Sequence, residues 1–143
     1  MTKTWTSWQA FALCSAFFAG LTAIFGKLGV ARLNSNLATF IRTVVILVMI
    51  SLILTWRREW QRPQGLPIRD AVFLVLSGVA TGLSWLCYYR ALQLGPASRV
   101  APVDKLSVVF AIVLALIFLG EALSWKVILG GILVGAGAVV MSL

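Results

Sequence analysis

Five long apolar runs, separated by short polar segments, dominate the pattern of the chain. We place them at residues 8–28, 37–56, 70–92, 97–119 and 125–141. Each run is long enough to cross a bilayer as an α-helix, which needs about 20 apolar residues. The runs are continuous and do not alternate with period two, so they do not indicate a β-barrel. The pattern predicts an all-α membrane protein whose five transmembrane helices form a single domain, residues 1–143.

The composition strengthens this prediction and excludes other classes. Hydrophobic residues make up 61% of the chain, and the net charge is +8. The basic residues lie mainly in the short loops, where anionic headgroups and membrane orientation explain them better than nucleic acid does. The chain has no histidine, and Cys14 and Cys87 lie in predicted spans without a metal-binding motif. We therefore expect no metal site, no cofactor and, in the absence of a catalytic motif, no enzyme.

The basic residues give a small bias in membrane orientation. Six lie in loops on the N-terminal side, which we call side A, and four lie on the opposite side B. This excess favours a multi-pass protein of the inner (plasma) membrane with a cytoplasmic N-terminus. Two further basic residues, Arg42 and Lys105, are embedded nearer side B and make the count six against six, so a dual topology stays open. The side A residues are Lys3, Arg57, Arg58, Arg62, Arg69 and Lys126, and those of side B are Lys27, Arg32, Arg90 and Arg99.

The fourth span contains the residues that fit a passive anchor least well. Asp104 and Lys105 lie inside it, and Pro102 just before them removes a backbone donor and bends the helix. An ionisable residue at the centre of a span costs roughly 2.5–3.5 kcal/mol, so such residues usually face a wet cavity. Adjacent helical residues point about 100° apart, and we expect this pair not to lie on one face. We interpret Asp104 and Lys105 as substrate-binding and Pro102 as a hinge. The alternative is a local ion pair that only fixes helix packing.

A second group of candidates lies on the second and third spans. Arg42 enters the second span by two turns, and either faces a substrate cavity or extends its side chain to nearby headgroups. Trp85, Tyr88 and Tyr89 are three and four residues apart and share one side of the third span. We interpret all four as substrate-binding. An interfacial aromatic belt is the alternative for the three aromatic residues.

An odd number of spans places the two termini on opposite sides of the membrane. A second copy of such a unit would insert upside down, as in inverted-repeat transporters. One five-helix unit is small for enclosing a substrate path, so a homodimer is the simplest complete assembly, and its copies are either antiparallel or parallel. Two glycine pairs with the spacing of helix-packing motifs, Gly78 with Gly82 and Gly131 with Gly135, are expected at helix contacts.

Several features resemble the drug/metabolite transporter superfamily in its EamA branch. They lie mainly in residues 82–142: an aromatic-rich third span, Pro102 in the fourth, Gly120-Glu121 at its end and a glycine-rich fifth span. Gly26-Lys27 and Arg42 also resemble the family. The resemblance implies a ten-helix transporter of two inverted halves, of which this chain is one half acting as a dimer. The small multidrug exporters of the superfamily use a membrane-embedded glutamate in their first helix. The first span here has no acidic residue, so cationic drug export by that route is not expected.

The leading hypothesis is a secondary transporter that exports a small metabolite, such as an amino acid or another carboxylate, by alternating access. Lys105 and Arg42 would attract the anionic group, and Asp104 would neutralise one of them or bind an amine. Two alternatives stay open. A non-transporting accessory or assembly subunit would use the glycine-rich faces as partner contacts, and a flippase would hold the phosphate headgroup of a lipid-linked substrate with the basic residues of side B.

Overall fold

The computed structural model describes residues 7–60, 65 and 67–143, and all the regular structure in these residues is helical. Five helical segments are long and apolar enough to cross a membrane, as predicted. The ends of these segments lie within two residues of the predicted bounds. Two of the basic residues assigned to side A, Lys3 and Arg62, lie outside the described residues. The elements are α1 (Ser7–Gly29), α2 (Ser35–Arg57), α3 (Ile68–Leu94), α4 (Ala97–Asp104), α5 (Ser107–Leu114), a π-helical segment (Ala115–Leu119) and α6 (Trp125–Ser142).

Local side-chain chemistry accounts for several helix ends. The side chain of Asn34 accepts a hydrogen bond from the backbone N–H of Asn36 at 2.9 Å and caps α2. Ser124 caps α6 in the same way through the N–H of Val127. At the end of the π-helical segment, Gly120 has a φ of 64°, a left-handed conformation that glycine adopts without strain.

The chain divides into two compact units. One contains Gly29–Gln93, and thus α2 and α3; the other contains α1 as far as Leu28 together with Leu94–Leu143. In the α2–α3 unit, the most deeply buried side chains are those of Val30, which directly follows α1, and Leu92, near the end of α3. Ala38 and Tyr89 are also buried there. The core of this unit therefore lies near the end of α3 and the start of α2.

In the other unit, the glycine-rich face of α6 packs against α5. A Cβ atom placed on Gly131 would lie 3.1 Å from Cδ1 of Ile112, and one on Gly135 would lie 3.6 Å from Cγ2 of Val109. Gly131 is buried. The absence of a side chain at Gly131 is thus what allows α6 to approach α5 so closely.

The second glycine pair behaves differently. A Cβ atom on Gly78 or Gly82 would meet nothing within 4 Å, so neither residue packs against another described part of this chain. Most apolar side chains of the spans are likewise exposed, and so are Cys14 and Cys87. Side chains on a membrane helix face lipid as readily as protein, which explains why apolar character alone does not predict burial within the chain. Helix packing at Gly78 and Gly82 stays a prediction about another molecule.

Candidate functional site

The α2–α3 unit holds a positively charged site around Arg42. Arg42 lies seven residues after the start of α2, which is about 10 Å along a helix. Thr39 lies one turn before Arg42 and Thr43 directly follows it, and their hydroxyl groups donate to the carbonyl oxygens of Ser35 and Thr39 in the same helix. Among the described residues, no hydrogen bond joins the guanidinium group to either hydroxyl, and its partners lie on another helix.

Two aromatic rings on α3 provide those partners. The Cζ atom of Arg42 lies 4.0 Å from the ring centroid of Trp85 and 5.5 Å from that of Tyr89. Trp85 and Tyr89 are four residues apart and so lie one above the other on the same face of α3. Their rings present their negative faces to the cation, an interaction worth about 0.5–2 kcal/mol depending on its exposure to water. The side chain of Arg42 thus lies against α3 and does not extend away from the protein.

One donor of Arg42 is left over in this arrangement. Its Nη1 atom is buried and has no hydrogen-bond partner among the described residues. A buried, unpaired donor on a charged group costs about 1–3 kcal/mol or more, and contact with an aromatic face does not supply the missing acceptor. The site therefore offers an unpaired cationic donor to any anionic group that reaches it.

No carboxylate of the α2–α3 unit pairs with Arg42. This unit holds two of the four acidic residues of the chain, Glu59 and Asp70. Glu59 pairs with Arg57 at 3.1 Å, and Asp70, in the first turn of α3, forms no ion pair within the described part of the chain. In the other unit, Asp104 pairs with Lys105 at 3.4 Å, and Glu121 forms no ion pair among the described residues. The described residues of its own unit therefore leave Arg42 without a counter-ion.

The third aromatic candidate, Tyr88, lies beside this site. Its ring packs edge-on against the ring of Tyr89 with the centroids 6.2 Å apart. Tyr89 is 5% exposed and Tyr88 is half-buried. The structure therefore brings Arg42, Trp85 and Tyr89 together, with Tyr88 one ring further away.

The other unit contains the second candidate group, Asp104 and Lys105, at a break in the fourth span. The Nζ atom of Lys105 lies 3.4 Å from Oδ2 of Asp104, and the two side chains are 52% and 35% exposed. Our expectation that the pair would not meet on one face is wrong. The helix ends at Asp104, and the long, flexible side chain of Lys105 bends back to reach the carboxylate of its neighbour.

The break follows Pro102 by one turn. The N–H groups of Lys105 and Leu106 bond to the carbonyl oxygens of Pro102 and Val103, three residues back instead of four. The same tight pattern recurs from Val108 to Lys105 before regular helix resumes in α5. Pro102 itself lacks the N–H that would bond to the carbonyl oxygen of Ser98, so the hydrogen bond that it removes lies one turn before it. The tight bonds that follow Pro102 are a second irregularity of the same span.

Two polar residues whose contacts the sequence did not predict join distant segments of the chain. The Nζ atom of Lys27 donates to the carbonyl oxygen of Gly95 at 2.8 Å, within the unit that contains α1 and α4. In the α2–α3 unit, Nε2 of Gln93 donates to the carbonyl oxygens of Val30 at 3.2 Å and Leu33 at 2.6 Å. The only sequence signal for either was polarity near the end of an apolar run, which has many causes.

The described residues contain no group of three or more histidine, cysteine or acidic side chains that could hold a metal ion. Two charged groups are then left as candidates for binding a ligand. They are the unpaired guanidinium group of Arg42 in one unit and the half-exposed Asp104–Lys105 pair in the other. Both lie in helices that are apolar enough to cross a membrane. Such an arrangement suits the passage of a small charged molecule.

Comparison with known proteins identifies the family. The model of the EamA-like transporter family matches residues 6–143. A protein of Sinorhizobium sp named as an uncharacterized transporter in the cobO 3' region is 53% identical over 136 residues, which cover 95% of this chain and 96% of that protein. No solved structure matches the chain. The five-helix architecture and a match over almost the full length together establish that the chain belongs to the EamA-like transporter family.

Proposed function

We propose that this EamA-like transporter exports a small metabolite that carries a carboxylate, such as an amino acid or another carboxylate, across the inner membrane. The observation that supports the proposal is the buried Nη1 atom of Arg42, which lacks an acceptor. A substrate carboxylate would supply that acceptor, and a charge-assisted hydrogen bond of this kind is worth about 1.5–3 kcal/mol. Arg42 would thus be the group that selects an anion.

The break in the fourth span supplies the second part of the proposal. Alternating access needs an element that bends, and a span interrupted after Pro102 has fewer regular hydrogen bonds to lose. We assign Pro102 as the hinge. Asp104 and Lys105 lie at the hinge and are half-exposed, so they are the groups that would meet the polar ends of a substrate there. Asp104 would take an amine, and Lys105 a carboxylate.

The transporter would act as a homodimer. The chain contains five spans, and the relative from Sinorhizobium is of similar length because the match covers 96% of it. The open positions Gly78 and Gly82 on α3 provide a face on which a second copy could pack closely. Two copies would give the ten helices that enclose a substrate path.

The test measures flux through purified protein in liposomes. A panel of radiolabelled amino acids and carboxylates is offered to the wild type and to Arg42→Gln. We expect Arg42→Gln to lower the transport efficiency, Vmax/KM, by about 10- to 100-fold, since it removes a charge-assisted hydrogen bond. The matched control is Arg58→Gln, which neutralises an exposed arginine in the same unit, leaves five basic loop residues on side A against four on side B, and should transport as the wild type does.

Two results would contradict the proposal. Undiminished flux in Arg42→Gln would remove Arg42 from the substrate site. A complete absence of flux for the whole panel would favour the accessory subunit, unless movement of a lipid-linked substrate were found in the same vesicles, which would favour the flippase.

A further inference from the structure

We infer that Trp85 and Tyr89 are positioning residues that hold the guanidinium group of Arg42, and that they are not walls on which the substrate stacks. This inference rests on the proposed function, in which Arg42 binds the anion. At 4.0 Å from the ring centroid, the Cζ atom of Arg42 is in van der Waals contact with the indole of Trp85. No substrate group fits between them. The ring face turned toward Arg42 is thus occupied by the protein itself.

Arg42 needs such a support because nothing else in the described chain restrains its end. Its side chain is long and flexible, and fixing it costs rotamer entropy. The hydroxyl groups of Thr39 and Thr43 donate to backbone carbonyl oxygens within α2, and neither ion pair of the described residues includes Arg42. The contacts with the two rings are what remain to fix its orientation.

The chemical nature of this support also matters. A carboxylate in the place of Trp85 would hold Arg42 firmly, but it would fill the acceptor position that the substrate needs. An aromatic face attracts the cation without accepting its N–H groups in the plane of the guanidinium. The donor Nη1 stays unpaired and desolvated, which is the condition in which an incoming anion gains most from it. The aromatic residues therefore fix the orientation of the guanidinium group and leave its Nη1 donor without an acceptor.

The two rings contribute unequally. Trp85 is the nearer, and tryptophan is the strongest of the aromatic partners for a cation. Tyr89 lies further from the guanidinium, is buried and is itself in edge-on contact with Tyr88. Loss of the Trp85 ring should therefore affect Arg42 most.

The first experiment measures the kinetics of transport with the same liposomes and panel. We expect Trp85→Leu to raise KM by about tenfold with Vmax within about twofold of the wild type, since a cation–π contact contributes on this scale. Trp85→Phe, which restores an aromatic face, should recover most of the affinity. Trp56→Leu is the matched control, because Trp56 is on α2 and 87% exposed. A fall in Vmax with KM unchanged would overturn the inference.

The second experiment does not depend on a transported substrate. Phenylglyoxal modifies guanidinium groups, and peptide mass spectrometry gives its rate at Arg42, with exposed Arg32 as internal reference. Release of the side chain in Trp85→Leu should raise the rate at Arg42 by at least about threefold, whereas Trp85→Phe and Trp56→Leu should not. If Trp85 instead contacts the substrate, Trp85→Leu raises KM and leaves the modification rate unchanged, which overturns the inference. If the wild type transports no member of the panel, the proposed function fails, and the modification rates alone decide whether Trp85 positions Arg42.

Discussion

Gln93, near the end of α3, shows how one side chain can fix a loop. Its amide nitrogen donates to the carbonyl oxygens of Val30 and Leu33, and its amide oxygen accepts from Nη1 of Arg90 at 3.0 Å. The orientation of the amide is forced, because backbone carbonyls only accept and a guanidinium group only donates. Gln93 therefore holds the segment between α1 and α2 against the end of α3 within one unit.

Replacement of Gln93 should destabilise the protein because its two N–H donors are lost, whether or not the new side chain has a similar shape. Gln93→Leu leaves two backbone acceptors without their donor and should lower the free energy of unfolding by about 1–2 kcal/mol. Gln93→Glu has nearly the same shape but places a carboxylate against two carbonyl oxygens, so it should be at least as harmful despite its better contact with Arg90. Thermal unfolding of the purified variants in detergent measures both. A Gln93→Glu protein as stable as the wild type would contradict this account.

The residues of the Arg42 site could be named from the sequence, but their arrangement could not. The arginine can be recognised as a candidate because a charged residue inside an apolar run is costly to place in a membrane. The aromatic residues can be recognised because their large side chains cluster on one helix. Which ring meets the guanidinium depends on the rotation and height of α3 relative to α2, and helical spacing within one span carries no such information. For the same reason the sequence grouped Tyr88 and Tyr89 with Trp85 without distinguishing them, whereas the structure places the ring of Tyr89 5.5 Å from the guanidinium carbon of Arg42.

At the scale of elements, the fourth span shows which features the sequence does specify. A proline removes a hydrogen bond wherever it lies in a helix, so a bend near Pro102 follows from the residue alone. The way in which the backbone absorbs that loss does not. Here tight hydrogen bonds at Lys105 and Leu106 separate α4 from α5, and the Asp104–Lys105 ion pair lies at this break. Charged residues at a flexible break are well placed to move with it.

The packing of α6 on α5 yields a prediction that separates crowding from helix propensity. Gly131→Leu adds a side chain where even a Cβ atom lies 3.1 Å from Ile112, and overpacking of this kind costs about 1–3 kcal/mol. Gly20→Leu, in α1, makes the same exchange where nothing lies within 4 Å, and it gains up to about 1 kcal/mol in helix propensity. Thermal unfolding should therefore show Gly131→Leu to be less stable than the wild type, and Gly20→Leu to be no less stable. Equal shifts for the two variants would show that the contact with α5 is unimportant.

At the scale of the whole molecule, the five spans and the nearly balanced charge both bear on how two copies would be oriented in the membrane. Five crossings would place the two ends of the five-helix unit on opposite sides of the membrane, so two copies would reproduce an inverted-repeat transporter only by inserting in opposite orientations. A strong excess of basic residues on one side would prevent this, because it would fix a single orientation. The six-to-four distribution over the loops is small enough to permit both orientations. In the proposed dimer with antiparallel copies, this balance of charge would be what allows the dimer to form.

Orientation-locked variants make this argument testable. Arg32→Gln with Arg99→Gln leaves two basic loop residues on side B against six on side A, and should hold the N-terminus in the cytoplasm. Arg69→Gln and Lys126→Gln with Ala31→Lys leave four on side A against five on side B, and should favour the reverse. Labelling of a reporter cysteine at Asn36 with an impermeant maleimide, in a chain lacking Cys14 and Cys87, reports the orientation of each. If the functional dimer is antiparallel, each locked variant alone transports poorly and their co-expression restores flux, because only the mixture supplies both orientations. Full transport by one locked variant alone would instead require a parallel dimer or a monomer, since no oppositely inserted copy would be present.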